Sequence, residues 1–224
     1  MTKSLTNDSQ RIFLAKMRPL CYRNPVMIEI ELKAHVDDRL SLSERLNSFA
    51  TYAGRVIRDD EYYGRSRTDP HKIRLRREQR EEAGSINTSY LLTYKRKELR
   101  NGADGIAIEV NDEKECSLSS PEAVTTFLED AGYAVQLKKH KDVQDWTLEL
   151  PSGSVLAESL TATFELCTVP PLGDFLEIEI LCPLSDEEST AKVRNALQKL
   201  LAKTGIPPSR IERRYYSEML AHTI

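Results

Sequence analysis

One stretch near the start of the chain strictly alternates charged and apolar residues. Residues 27–33 read Met-Ile-Glu-Ile-Glu-Leu-Lys. Successive side chains of a β-strand point to opposite faces, so Glu29, Glu31 and Lys33 share one face and the apolar residues share the other. One face can pack against a core while the other stays polar. Taken alone, the stretch predicts an amphipathic strand whose polar face is solvated.

The same pattern of charged strand faces recurs later in the chain. The stretch 175–180 places Glu177 and Glu179 on one face and leucine or isoleucine on the other. Three further strands have basic residues on one face, and one more basic residue precedes a short C-terminal segment. These residues are Arg74 and Arg76, Lys95, Lys139 and Lys141, and Arg214. So many strands with a charged face predict a closed barrel with a charged interior.

The order of the predicted elements is strand, helix, four strands, helix, four strands, helix, which indicates an α+β fold. Capping signals precede the helices: Ser41 with Glu44, Ser120 with Pro121, and Ser185 with Glu188. Between the helices, residues 78–88 and 98–104 are predicted to be hairpin loops, and residues 134–143 and 146–150 two separate strands.

Composition excludes several classes of protein. The chain has 224 residues and a net charge of -3, so its overall balance does not indicate a nucleic-acid partner. Its four cysteines form no CxxC pair, and no apolar run approaches the roughly 20 residues that span a bilayer. We expect a cytoplasmic monomer or homodimer with no nucleic-acid or membrane partner. Residues 1–25 are expected to form a flexible N-terminal extension, and residues 26–224 a single domain.

An interior with both signs of charge needs a ligand that satisfies both. Arginines at two-residue spacing suit bidentate binding of phosphate oxygens, and lysines add point charges. Glutamates repel phosphate directly but bind hard cations such as Mg²⁺ or Mn²⁺, which in turn contact phosphate. The charged faces therefore predict a metal-dependent site for a polyphosphate.

Six separated pieces of the chain, spread over residues 27–220, together resemble the CYTH family. This family comprises the class IV adenylate cyclases, thiamine triphosphatases and inorganic triphosphatases, also called triphosphate tunnel metalloenzymes; the class IV cyclase-like branch is the most similar. The pieces are Glu29, Glu31 and Lys33; Asp-Glu-Tyr at 60–62; Ile-Arg-Leu-Arg at 73–76; Tyr-Lys at 94–95; Leu-Gly-Asp-Phe-Leu-Glu-Ile-Glu at 172–179; and Arg-Tyr-Tyr-Ser-Glu-Met-Leu at 214–220.

The resemblance implies a fold and a set of site residues. The fold is a closed eight-stranded antiparallel β-barrel, the triphosphate tunnel, with flanking helices. Lys33 and Tyr62 would orient an attacking water in a hydrolase. The metal ligands for Mg²⁺ or Mn²⁺ would be Glu29, Glu31, Glu177 and Glu179. The contacts to a nucleoside, organic or inorganic triphosphate would be Lys33, Arg74, Arg76, Lys95, Lys139, Lys141 and Arg214.

One position departs from the family pattern. Many class IV relatives have Leu-Asp-x-Val where this chain has Leu-Cys-Thr-Val at 166–169, so Cys167 replaces an expected acidic metal ligand. Glu165, two residues earlier on the same strand face, is the predicted substitute. Three functions stay open: cyclisation of ATP to cyclic AMP and pyrophosphate, hydrolysis of a triphosphate, and binding of a polyphosphate or nucleotide without catalysis.

Overall fold

The computed structural model describes residues 27–66, 72–82, 84–101, 107–183 and 187–221. The predicted N-terminal extension, residues 1–25, lies outside these ranges. Within them, no helix combines the length and the apolar character needed to cross a membrane. The strands are β1 Met27–Val36, β2 Thr51–Gly64, β3 Lys72–Glu82, β4 Ser85–Asn101, β5 Ala107–Leu118, β6 Ala134–Leu150, β7 Leu160–Val169 and β8 Gly173–Pro183. The helices are α1 Arg39–Asn47, α2 Glu122–Asp130, α3 Glu187–Thr204 and α4 Tyr216–Ala221, with a 3₁₀ turn at Pro208–Arg210.

The eight strands form one antiparallel sheet in the order β1-β8-β7-β6-β2-β3-β4-β5. The predicted α+β class and the eight strands implied by the family resemblance are confirmed, whereas the predicted element order has one strand too many. Closure into a barrel is not confirmed, because no hydrogen-bonded ladder joins β1 to β5 in the described parts of these strands. The C-terminal segment pairs with β1 instead. Ala34 forms a β-bridge with Ile211, and the Glu212 N–H donates to the Lys33 carbonyl at 2.8 Å.

The main hydrophobic core lies between one face of the sheet, called here the outer face, and helices α1 and α3. The apolar side of the first strand lies there as predicted, with Ile28, Ile30 and Leu32 packed against this core. Strands β6, β7 and β8 contribute fully buried side chains, and Trp146 donates its indole N–H to Asn47 Oδ1 at 2.7 Å. The largest side chains in this core are Trp146, Phe164, Leu46, Leu166, Leu176, Ile178, Ile180, Leu197 and Leu201.

Several predicted element boundaries are wrong. Residues 134–150 form one strand of 17 residues, not two. The polar residues at the predicted break, 144 and 145, belong to the strand, and their side chains are directed to opposite faces of the sheet. The predicted loop at 78–88 is also largely strand, since β3 runs to Glu82 and β4 begins at Ser85. Likewise, β4 runs to Asn101, well into the predicted loop at 98–104.

The predicted helix caps also differ from the observed ones. Helix α1 begins at Arg39, and its cap is Asp38, whose side chain accepts from the Ser41 N–H at 3.0 Å. Helix α2 has Pro121 at its N-cap, without a side-chain cap hydrogen bond. The predicted box at Ser185 lies outside the described residues.

A second apolar cluster lies on the opposite, inner face of the sheet. Helix α4, which the sequence patterns did not predict, contributes Tyr216, Met219 and Leu220 to it. The sheet side chains of this cluster are Val56, Val143, Cys167, Val169 and Phe175. The C-terminal segment thus covers part of the inner face, next to its charged residues.

Candidate active site

The charged side chains of the strands meet on the inner face of the sheet. Arg58 of β2 donates to Glu165 of β7 at 2.6 Å, although β6 separates these two strands. Arg80 of β3 similarly lies 3.5 Å from Asp145 of β6, past β2. Two strands on either side of a third are about 10 Å apart, a gap that two long charged side chains on the same face can bridge. The inner face is therefore a continuous charged surface.

Strands β1 and β8 place acidic residues side by side. Their register pairs Glu31 with Glu179 and Lys33 with Glu177. Glu31 is an exposed residue, but the surrounding protein still reduces the hydration of its carboxyl group. This desolvation, with the charges of Glu177 and Glu29, raises the pKa of Glu31 to about 8. Burial, with Glu165 and Glu31, likewise raises the pKa of Glu179 to about 7.

These carboxylates have the chemistry that a divalent cation requires. They offer hard oxygen donors, and their mutual repulsion would be relieved by added positive charge. They are not arranged as a finished site, however. Among the described residues, no group of three or more histidine, cysteine, aspartate or glutamate side chains is close enough to hold a metal ion. The acidic set thus fits a hard cation in charge and donor type, but not as a preformed cage.

The predicted substitute ligand Glu165 is already bound to two cations. Lys141 donates to Glu165 at 3.0 Å and to Glu177 at 2.5 Å, and Arg58 donates to Glu165 and to Glu78. Burial alone would raise the pKa of Glu165, but Lys141 and Arg58 outweigh it and hold that pKa well below its usual range. Glu165 therefore balances basic side chains of the inner face.

A second ion-pair group lies around Asp60 of β2. Arg76 donates to Asp60 through Nε at 2.7 Å and through Nη2 at 3.0 Å. Lys139 Nζ lies 3.0 Å from Asp60, and the Tyr62 hydroxyl donates to it at 3.4 Å. The structure thus brings two of the predicted phosphate-binding residues and one of the predicted catalytic residues into one group.

The remaining predicted basic residues differ in position. Arg74 donates to Thr93 Oγ1 at 3.0 Å, beside Glu115 of β5. Lys95 is on β4, but its side chain is outside the described part of the structure. The Arg214 side chain is exposed and pairs with Glu212 at 2.6 Å, away from the other basic residues. Only its carbonyl reaches the site, where it accepts from Lys33 Nζ at 2.6 Å.

Tyr216 of α4 lies among the lysines of the inner face. The Nζ atoms of Lys33, Lys139 and Lys141 are 4.1, 5.3 and 5.6 Å from the centre of its ring, within the range of cation–π contacts. Its hydroxyl is 3.4 Å from Cys167 Sγ. Burial raises the pKa of the Cys167 thiol to about 11, so the position of the expected acidic ligand is neutral here.

Sequence reasoning gave no role to three residues of this site: Arg58, Asp60 and Tyr216. Arg58 and Asp60 alternate with Tyr62 along β2, so the two-residue spacing used for the other strands would have placed them on the inner face. Asp60 and Tyr216 lie within the family-like pieces at 60–62 and 214–220, but strand alternation does not apply to Tyr216, because a short C-terminal helix places it.

No protein-family model matches this chain, and no curated protein does. Among solved structures, PH1819 from Pyrococcus horikoshii is 22% identical, with a TM-score of 0.65 over 88% of this chain and 99% of that one. A candidate adenylate cyclase from Vibrio parahaemolyticus is 17% identical, with a TM-score of 0.59 over 87% of this chain and 98% of that one.

A third similar structure comes from a plant. HpAC1 from Hippeastrum, a candidate adenylyl cyclase described as having a dominant triphosphatase activity, is 16% identical, with a TM-score of 0.54 over 88% of this chain and 95% of that one. At such identities the likeness concerns the fold alone. The chain has the fold of these proteins, which is consistent with the resemblance of its motifs to the CYTH family.

Proposed function

We propose that the inner face binds the triphosphate group of a nucleotide or another triphosphate and catalyses its hydrolysis with Mg²⁺ or Mn²⁺. The observation that supports this best is the gathering of Arg76, Lys139 and Lys141 with a row of glutamates on one face of the sheet. A triphosphate needs the cations, and a divalent metal needs the carboxylates.

In this proposal the basic residues bind and orient the phosphate chain. Arg74, Arg76, Lys139 and Lys141 contact non-bridging oxygens and neutralise charge that builds up on them. Glu29, Glu31, Glu177 and Glu179 hold the divalent cation, which supplies further charge neutralisation at the phosphates when bound.

Lys33 and Tyr62 act on the attacking group. Burial lowers the pKa of Lys33, although Glu177 and Glu31 oppose this. The neutral amine, which can accept a proton, therefore forms more easily than in an ordinary lysine. Tyr62 presents its hydroxyl beside Asp60 and orients the water. The water oxygen bonds to the terminal phosphorus while Lys33 accepts a proton from it, and the bridging P–O bond breaks. The diphosphate part leaves with the bridging oxygen, and the terminal group becomes orthophosphate.

Cyclisation of ATP is the second candidate. The Leu-Gly-Asp-Phe-Leu-Glu-Ile-Glu segment at 172–179 supports it, as does the fold shared with the candidate cyclase from Vibrio parahaemolyticus. In this reaction the ribose 3′ oxygen attacks the α-phosphorus and pyrophosphate leaves. It also requires a slot for adenine, whereas the described aromatic rings next to the basic group, Tyr62 and Tyr216, contact lysine ammoniums. The third candidate is binding without turnover, which the neutral Cys167 favours.

One experiment distinguishes the three candidates, because two give different products and the third gives none. The purified chain is incubated with ATP or with tripolyphosphate and Mg²⁺ or Mn²⁺. Orthophosphate supports the hydrolase, cyclic AMP with pyrophosphate supports the cyclase, and binding by calorimetry without product supports the non-catalytic binder. If the chain shows no binding and no turnover with either metal, the proposal is contradicted.

Two neighbouring arginines provide a matched pair of variants. Arg76→Ala should lower kcat/KM about 100-fold, the usual order for loss of one charge-stabilising donor. Arg77→Ala should leave it unchanged, because Arg77 is exposed on the other side of β3 and pairs with Asp59. Equal activity of the two variants would contradict the assignment of the site to the inner face.

A further inference from the structure

Asp60 is a charged residue of the site to which the proposed chemistry gives no role. It is 1% exposed, and its side chain is fully buried. Burial would raise the pKa of Asp60, but Lys139 and Arg76 hold it far below its usual range, so the group stays a carboxylate. A permanently charged carboxylate at this place repels phosphate and cannot donate a proton. We therefore look for the role of Asp60 in the side chains that it contacts.

Those contacts leave donors available for a ligand. Arg76 uses Nε and Nη2 for the two oxygens of Asp60, so this pair does not occupy the Nη1 end of its guanidinium. Lys139 points one of its three N–H donors at the same carboxylate. One anion thus holds two cations in fixed orientations, and the group keeps a net positive charge.

We propose that Asp60 is a positioning residue, which orients Arg76 and Lys139 so that both contact one polyphosphate chain. This inference rests on the proposed function. Both side chains are long and flexible, and ordering them at the moment of binding would cost affinity. Asp60 orders them beforehand, in a geometry that a bidentate arginine defines closely.

This role and simple electrostatics predict opposite effects of the same change. Asp60→Asn removes a negative charge from a site that binds a polyanion, so charge alone predicts tighter binding. Positioning predicts weaker binding, because the two cations lose the partner that orients them. The affinity for tripolyphosphate therefore distinguishes the two.

The neighbouring residue supplies the control. Asp59 makes a similar pair with Arg77 and contacts His140, but its side chain is 41% exposed and faces away from Asp60. Calorimetry with tripolyphosphate in EDTA, which prevents the proposed metal-dependent hydrolysis, should show about tenfold or greater loss of affinity in Asp60→Asn, as expected for loss of a hydrogen-bonded charge pair. Asp59→Asn should bind like the unmodified chain. Equal or tighter binding by folded Asp60→Asn overturns the inference.

A second variant covers the case in which Asp60→Asn does not fold. Asp60→Glu keeps the charge and shifts the carboxylate by one methylene, so it should also lose about tenfold in affinity. Unchanged affinity in folded Asp60→Glu overturns the inference in that case. Failure of the unmodified chain to bind tripolyphosphate contradicts the proposed function itself, which is a different result from binding that is insensitive to Asp60.

Discussion

Lys141 donates a hydrogen bond to Glu177 at 2.5 Å, across the strand that separates β6 from β8. Lys141 is 4% exposed and Glu177 is 8% exposed. A residue assigned to phosphate therefore neutralises a residue assigned to metal. Removing one member of such a buried pair leaves the other uncompensated. A cation at Glu177 and a phosphate at Lys141 have to replace the same contact, so we expect each to promote binding of the other.

Replacing Lys141 should change the affinities for metal and for phosphate in opposite directions. In Lys141→Met, Glu177 loses its ammonium partner, so Mn²⁺ alone should bind more tightly, while tripolyphosphate should bind about tenfold more weakly. Calorimetry with each ligand separately measures both. Lys138→Met is the control, since Lys138 is exposed on the other side of β6 and pairs with Glu61. A parallel loss of both affinities in Lys141→Met would contradict this account.

An acidic residue at position 167 should make stability depend on metal. Cys167 is fully buried among apolar side chains and next to Tyr216. An aspartate there adds a buried carboxylate beside Glu165 and Glu177, which already share Lys141. Without metal this should cost about 1–3 kcal/mol, so Cys167→Asp should lower the Tm. Mn²⁺ should recover part of this loss by binding the folded state.

Thermal unfolding with and without Mn²⁺ tests this expectation. Cys182→Asp is the control, because Cys182 is equally buried but lies in the outer core. It should be destabilised without recovery by metal. The same response to Mn²⁺ in both variants would show that position 167 is not near the cation.

The raised pKa of Glu31 predicts a pH dependence of stability. Burial with Glu177 and Glu29 raises this pKa from 4.5 to about 8, so the folded state retains a proton that the unfolded chain loses. The free energy of unfolding therefore decreases as the pH rises from 4.5, the ordinary pKa, toward about 8, the pKa in the folded state. Above that pH the decrease is complete. Without metal, Glu31→Gln should be more stable than the unmodified chain at about pH 9, by a difference that shrinks toward about pH 5.

Melting temperatures in EDTA across this range measure the effect. Glu149→Gln, a change at an exposed residue of β6, serves as the control. A stabilisation by Glu31→Gln that grew toward acid pH would have the wrong sign.

The outer core should determine stability without touching the site. Phe164 is fully buried, and its ring lies 5.6 Å from that of Phe49 in an edge-on contact. Phe164→Ala should cost about 3–5 kcal/mol, the usual range for a large aromatic side chain in a core. Leu181→Ala, at an exposed residue, should cost far less. Urea unfolding measures the loss of stability in both variants. Similar losses would show that Phe164 does not belong to the core.

Much of the fold follows from local pattern. Alternation in β1 correctly placed Ile28, Ile30 and Leu32 in the core, because a strand has only two faces. The split predicted within 134–150 failed for a related reason. The two polar residues at the predicted break resemble a loop when solvent is the only partner considered. In β6, however, Asp145 lies 3.5 Å from Arg80 on the inner face, and Gln144 accepts from Arg39 on the opposite face.

The sequence alone determined which residues could meet on one face, since side-chain direction along a strand depends on the chain itself. Only the tertiary structure decided which cation meets which carboxylate. Arg58 and Glu165 are 107 positions apart and lie on strands that are not neighbours, so the order of the strands in the sheet creates their contact. The same holds for Arg214, where the pairing of the C-terminal segment with β1 turns the side chain to the surface and leaves only its carbonyl near Lys33.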